Sequence, residues 1–91
     1  MLHLLFYTTD PAMLHRAAEL FQAHRARIDE FHARGELLLV GVFEDPTQGA
    51  LGVFTTAEAA RSFAEGDPFV LEGVVAAWRI QGWREVLGAD R

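Results

Sequence analysis

The stretch Glu36-Leu-Leu-Leu-Val-Gly-Val-Phe-Glu-Asp-Pro-Thr-Gln-Gly-Ala-Leu-Gly-Val-Phe54 decides the fold. Glu36 to Phe43 is almost continuously apolar and reads as a strand. Asp45 to Gly49 is a turn, and Ala50 to Phe54 is a second, short strand. Upstream, Leu2 to Thr9 is apolar with aromatic and β-prone residues and reads as another strand. Asp10-Pro11 then opens a long helix that should run to about Ala33, with Gly35 just past its end. Downstream, Thr55-Thr-Ala-Glu58 has capping-box spacing, so a helix follows to about Glu65. Gly66 breaks it, and Asp67-Pro68 starts a short helical piece ending near Gly73. Val74 to Trp83 reads as the last strand, with Trp78 and Ile80 on one face and Arg79 and Gln81 on the other. The order is β-α-β-β-α-β, an α+β, ferredoxin-like plait with a four-stranded antiparallel sheet.

Such a plait covers one sheet face with helices and leaves the other open. An open face should alternate polar with apolar residues. Leu2 to Tyr7 and Leu37 to Phe43 do not alternate, so the open face is apolar and predicts a homodimer that stacks sheet on sheet. The composition agrees, because 51% hydrophobic residues is high for 91 residues, whose core is thin. A net charge of −5 argues against a nucleic-acid partner. With no cysteine there is no disulfide framework and no thiol chemistry. No apolar run approaches the roughly 18 residues of a membrane span. The start of the chain lacks the pattern of a signal peptide, and the expected location is cytoplasmic.

One position in the long helix is anomalous. Leu14, Ala17, Phe21, Ile28 and Phe31 step by three and four along one stripe, and His24 completes the series. An imidazole in a buried stripe must find a hydrogen-bond partner or face a cavity. His15 and His32 fall off the stripe and are expected to be solvated. His15 and Glu19 stand at i, i+4, but no third ligand is placed, so no metal site is expected. The glycines fall singly and make no phosphate loop, and Ser62, the sole serine, lies inside a helix. General acid–base chemistry is what remains, with Asp67 as the candidate partner of His24. Asp before Pro caps helices elsewhere in this chain, and the two roles are compatible if one oxygen caps and the other meets the imidazole. Tyr7 and Trp78 could line a pocket as apolar walls with polar tips, although core filling explains both equally well.

Gly41-Val-Phe-Glu-Asp45, Gly52-Val-Phe-Thr-Thr-Ala-Glu-Ala-Ala-Arg-Ser-Phe63, Asp67-Pro-Phe-Val-Leu-Glu-Gly73 and Trp78-Arg-Ile-Gln-Gly-Trp83 together resemble the YciI (YCII-related) family across nearly the whole chain. The resemblance implies a single YCII-related domain over residues 1–91, a dimeric α/β barrel, and a pocket holding a His–Asp dyad that maps onto His24 and Asp67. The chemistry it implies is elimination or isomerisation on small ring compounds, with no cofactor. Many members carry an arginine three residues before the histidine. Here that position is Phe21, which puts an anion-binding role there in doubt and leaves Phe21 as a pocket wall.

Three functions are therefore weighed. The first is a lyase or isomerase using His24 as general acid/base and Asp67 as its orienter. The second is a non-catalytic protein that holds a small metabolite in the same pocket. The third is a cofactor-free monooxygenase.

Overall fold

The computed structural model describes residues 1–88, so the last three residues of the expected domain lie outside it. Strand β1 (Leu2–Thr9) leads through a 3-10 turn (Pro11–Arg16) into helix α1 (Ala17–Ala33). Strand β2 (Leu37–Val42), a 3-10 turn at Pro46–Gln48, and strand β3 (Ala50–Phe54) follow. Helix α2 (Ala57–Gly66), the short helix α3 (Pro68–Leu71) and strand β4 (Val75–Trp83) complete the chain. The sheet order is β2-β3-β1-β4 with every pair antiparallel, which is the ferredoxin-like plait the sequence predicts.

Two local expectations need correction. The long helix does not begin as α-helix at Pro11: its first six residues wind as 3-10, with Met13 N–H bonded to the Asp10 carbonyl at 3.0 Å. Tight winding of this kind is common at helix starts. The capping box is also displaced. Thr56, not Thr55, is the N-cap of α2, and its hydroxyl accepts from Ala59 N–H at 3.0 Å. Glu58 is thereby one residue short of the reciprocal position.

The register assigns the faces. His3, Leu5 and Tyr7 of β1 sit opposite Phe54, Gly52 and Ala50 of β3, on the helix-covered side. Leu4 and Phe6 pair with Val53 and Leu51 on the other side, where Leu39 and Trp83 also stand exposed. The core lies at one end of the covered side. Phe31, Phe54 and Phe63 meet edge-on and tilted, with centroids 5.2–6.4 Å apart, and Leu5, Leu37, Ala60 and Ala64 fill in around them. Such aromatic clusters add about 0.5–1.5 kcal/mol per pair beyond the area they bury. No helix among the described residues is long and apolar enough to cross a membrane.

Candidate active site

The apolar stripe of α1 is not uniformly buried. Phe31 is packed, Ile28 is half-buried, and Phe21 is 53% exposed. Between the open end of this helix and the sheet lies a cavity of about 350 Å³, where Leu14, Ala17 and Phe21 face Val40, Ala50 and Gly52. The sheet presents Ala50 and Gly52 there, and the Phe54 ring and Leu37 side chain lean over Gly52 from the packed end. His24 stands on the cavity wall at the junction of the two ends.

His24 Nδ1 lies 2.8 Å from Asp67 Oδ1. Asp67 closes α2 and opens α3, and its side chain is wholly buried. The same Oδ1 accepts from Phe69 N–H at 3.0 Å, as an N-cap does, while Oδ2 accepts from the Tyr7 hydroxyl at 2.6 Å. The cap and the imidazole therefore share one oxygen, and the other oxygen goes to a phenol 60 residues away in sequence. This differs from the expected division of one oxygen to each role. A buried carboxylate is costly unless its lone pairs meet donors, and three converge here. Facing an acceptor, Nδ1 carries the ring proton, which leaves the Nε2 lone pair free. No buried side-chain nitrogen or oxygen among the described residues lacks a partner, so Nε2, which makes no hydrogen bond, is accessible on a ring that lines the cavity.

Aromatic rings fix the imidazole plane. Phe69 stacks on it at 3.8 Å and 7°, and Phe63 meets it edge-on at 6.5 Å. The Tyr7 phenol is pushed far above its ordinary value by burial first, then by the charge of Asp67 and the hydrogen bond to it, with Arg27 opposing weakly. It stays a donor. Gly49 lets the turn between β2 and β3 close on β1: at φ +108° it is buried, and a side chain there would run into the Tyr7 carbonyl. Arg27 reaches across from α1 to the end of α2, donating to the Phe63 carbonyl at 3.0 Å and the Ser62 carbonyl at 2.7 Å. Its guanidinium lies over the Phe31 and Phe63 rings, and Gly66 leaves room for it.

Of the residues singled out from sequence, His24, Tyr7 and Phe21 line the cavity, and Asp67 sits behind His24. Trp78 does not reach the cavity; it sits beside Tyr7 in the β1–β4 register and packs on the core. His15 is exposed, and Glu19 binds Arg16 at 2.6 Å. His32 is not merely solvated: its Nδ1 lies 2.9 Å from the Leu37 carbonyl. Sequence reasoning missed Phe69 as the stacking partner and the Tyr7 hydroxyl as the second anchor of Asp67. The signals available were slight: Phe69 follows the Asp67 cap by two residues, and Tyr7 alternates with Leu5 on the covered face.

No curated protein matches the chain. Solved structures do, among them 5-chloro-2-hydroxyhydroquinone dehydrochlorinase (TftG) from Burkholderia phenoliruptrix AC1100, in complex with 2,5-dihydroxybenzoquinone. That protein is 23% identical over 92% of this chain and 94% of its own, with a TM-score of 0.75, a likeness that establishes a shared fold. A family model, that of the YCII-related domain, spans residues 1–84 and so takes in all four strands, both long helices and the His24–Asp67 contact; the chain belongs to the YCII-related family.

Proposed function

We propose that this protein is a small enzyme of lyase or isomerase type, in which His24 moves a proton on a small ring compound held in the cavity. One observation carries the reading: an imidazole bonded at 2.8 Å to a wholly buried carboxylate, on the wall of an apolar cavity of about 350 Å³. Asp67 orients the ring and keeps the proton on Nδ1. Nε2 then accepts a proton from an acidic O–H, or from a carbon next to a carbonyl. In an elimination, the electron pair left behind forms the new double bond and expels the leaving group with its bonding electrons. In an isomerisation, His24 returns the proton to another carbon. A positioned base of this kind contributes typically 10²–10⁴-fold. The like-folded dehydrochlorinase, named for removing chloride from a hydroxylated ring, supports halide loss as the first reaction to test.

The test is halide release from halogenated, hydroxylated monocyclic compounds by the purified chain. Turnover should fall at least about 100-fold in His24→Ala and in Asp67→Asn. Turnover that survives both substitutions overturns the assignment. A non-catalytic, metabolite-binding role is the second reading: the apolar lining of the cavity suits a small metabolite, and Arg25 on its wall is paired with Asp29 at 3.1 Å. Ligand binding without turnover, unchanged in His24→Ala, would decide for it. The exposed apolar side chains Leu39 and Trp83 on the uncovered sheet face further support a homodimer closed sheet on sheet. Sedimentation should give twice the monomer mass, and Leu39→Glu should halve it.

A further inference from the structure

We infer that Tyr7 is a positioning residue: its hydroxyl fixes the Asp67 carboxylate so that His24 is held in the Nδ1–H tautomer. The inference rests on reading His24 as the base, and the geometry supplies its logic. Asp67 is wholly buried, and Oδ1 already serves Phe69 N–H and His24. Oδ2 has the Tyr7 O–H as its hydrogen-bond partner, at 2.6 Å. With that donor in place the carboxylate cannot turn about its Cβ–Cγ bond without breaking a buried hydrogen bond, which is costly to leave unmade. Its two oxygens are then acceptors only, and the ring nitrogen facing them must be the donor. Without the hydroxyl, one buried oxygen loses its partner. The carboxyl group is then free to swing, or to take up a proton and donate it to the ring, and either change lets the imidazole exchange tautomers. The base at Nε2 is lost in the fraction of molecules that carry the proton there.

Core filling alone would explain the buried ring of Tyr7 but not the placement of its hydroxyl. The strand alternation that buries Leu5 and Tyr7 would bury a phenylalanine equally well. The phenol costs desolvation, which its bond to Asp67 must offset.

Tyr7 is the sole tyrosine among the 91 residues, which makes the test selective. In ¹⁵N-labelled protein, long-range ¹H–¹⁵N correlations read the tautomer of each of the four histidines, with His24 assigned by its loss in His24→Gln. The native chain should show His24 as Nδ1–H, and Tyr7→Phe should show a mixture with Nε2–H. Ile80→Val, a core change on β4 away from the cavity wall and from the rings around His24, should leave the tautomer as it was. An unchanged His24 pattern in folded Tyr7→Phe overturns the inference. If that variant does not fold, biosynthetic 3-fluorotyrosine decides. A more acidic phenol draws more of the carboxylate charge toward Oδ2, so the His24 Nδ1–H resonance should move upfield. A resonance that stays put overturns the inference. Once a substrate is in hand, Tyr7→Phe should lower kcat roughly tenfold with KM held, as for other residues that orient a histidine from behind. A change in KM alone would overturn it. The tautomer is read in the resting protein, so a failure to find any turnover sinks the proposed reaction and not this result.

Discussion

Asp45-Pro46 and Asp67-Pro68 are the same dipeptide with nearly the same local geometry. Their aspartates are extended, at φ/ψ −92°/108° and −73°/124°, and each accepts from the backbone N–H two residues on at 3.0 Å. Asp10 repeats the pattern with Ala12 N–H, also at 3.0 Å. Their surroundings differ completely. Asp45 is exposed, and its further partner is the neighbouring Thr47 hydroxyl at 2.7 Å. Asp67 is wholly buried and adds one partner from β1 and one from α1. Local sequence therefore sets the backbone task of each aspartate, and tertiary placement alone gives one of the three caps its place in the proposed site.

That contrast can be broken at several strengths. The largest effect is expected from Asp67→Asn. Asparagine caps about as well as aspartate, so α3 should persist while turnover falls by about 10²–10⁴-fold, as halide-release assays would read. The same change at Asp45 should leave turnover alone.

Truncation comes next. Asp67→Ala removes a cap and strands the buried Tyr7 hydroxyl, at a cost of about 3 kcal/mol in urea unfolding, whereas Asp10→Ala loses only a cap, about 1 kcal/mol. Equal losses would show that burial adds nothing to the motif.

Alkaline pH probes the buried partner. The folded-state value for Tyr7 is raised above its ordinary 10.0, so its contribution is complete below that pH. Above it the unfolded chain sheds the proton and the native chain keeps it. Stability should then fall by roughly 1.4 kcal/mol per pH unit, and Tyr7→Phe should not show that fall. Tyrosinate absorbance should appear only with unfolding.

The smallest effect belongs to the exposed turn. The Thr47 hydroxyl and N–H hold Asp45 below the usual carboxylate range, so its stabilisation is present above that range and fades as the pH falls through it. In Thr47→Val, the NMR titration midpoint of Asp45 should rise toward the ordinary value.

The plait was readable because its signals are local: apolar runs of strand length, Asp-Pro at three turns, and glycine past a helix end. His24 was readable as an exception to a stripe, and Asp67 by its motif. The rest depends on what lies opposite each residue. The same α1 stripe packs at Phe31, where Phe54 and Phe63 meet it, and stands open at Phe21, where the cavity toward Val40 and Ala50 faces it. Nothing in the helix itself reports that. Tyr7 likewise meets Asp67 only through strand register, and Trp78, its neighbour across β4, turns to the core instead.

The guanidinium of Arg27 has a consequence for how the molecule opens. By taking the Ser62 and Phe63 carbonyls, it ties the last turn of α2, and the Asp67 peptide just beyond, to the middle of α1. Fraying of α2 from its C-terminal end must then break both bonds and lift the guanidinium off the Phe31 and Phe63 rings. Amide hydrogens around Gly66 and Asp67 should therefore exchange as slowly as those of the core strands, as members of one cooperative unit, although they belong to the end of a ten-residue helix.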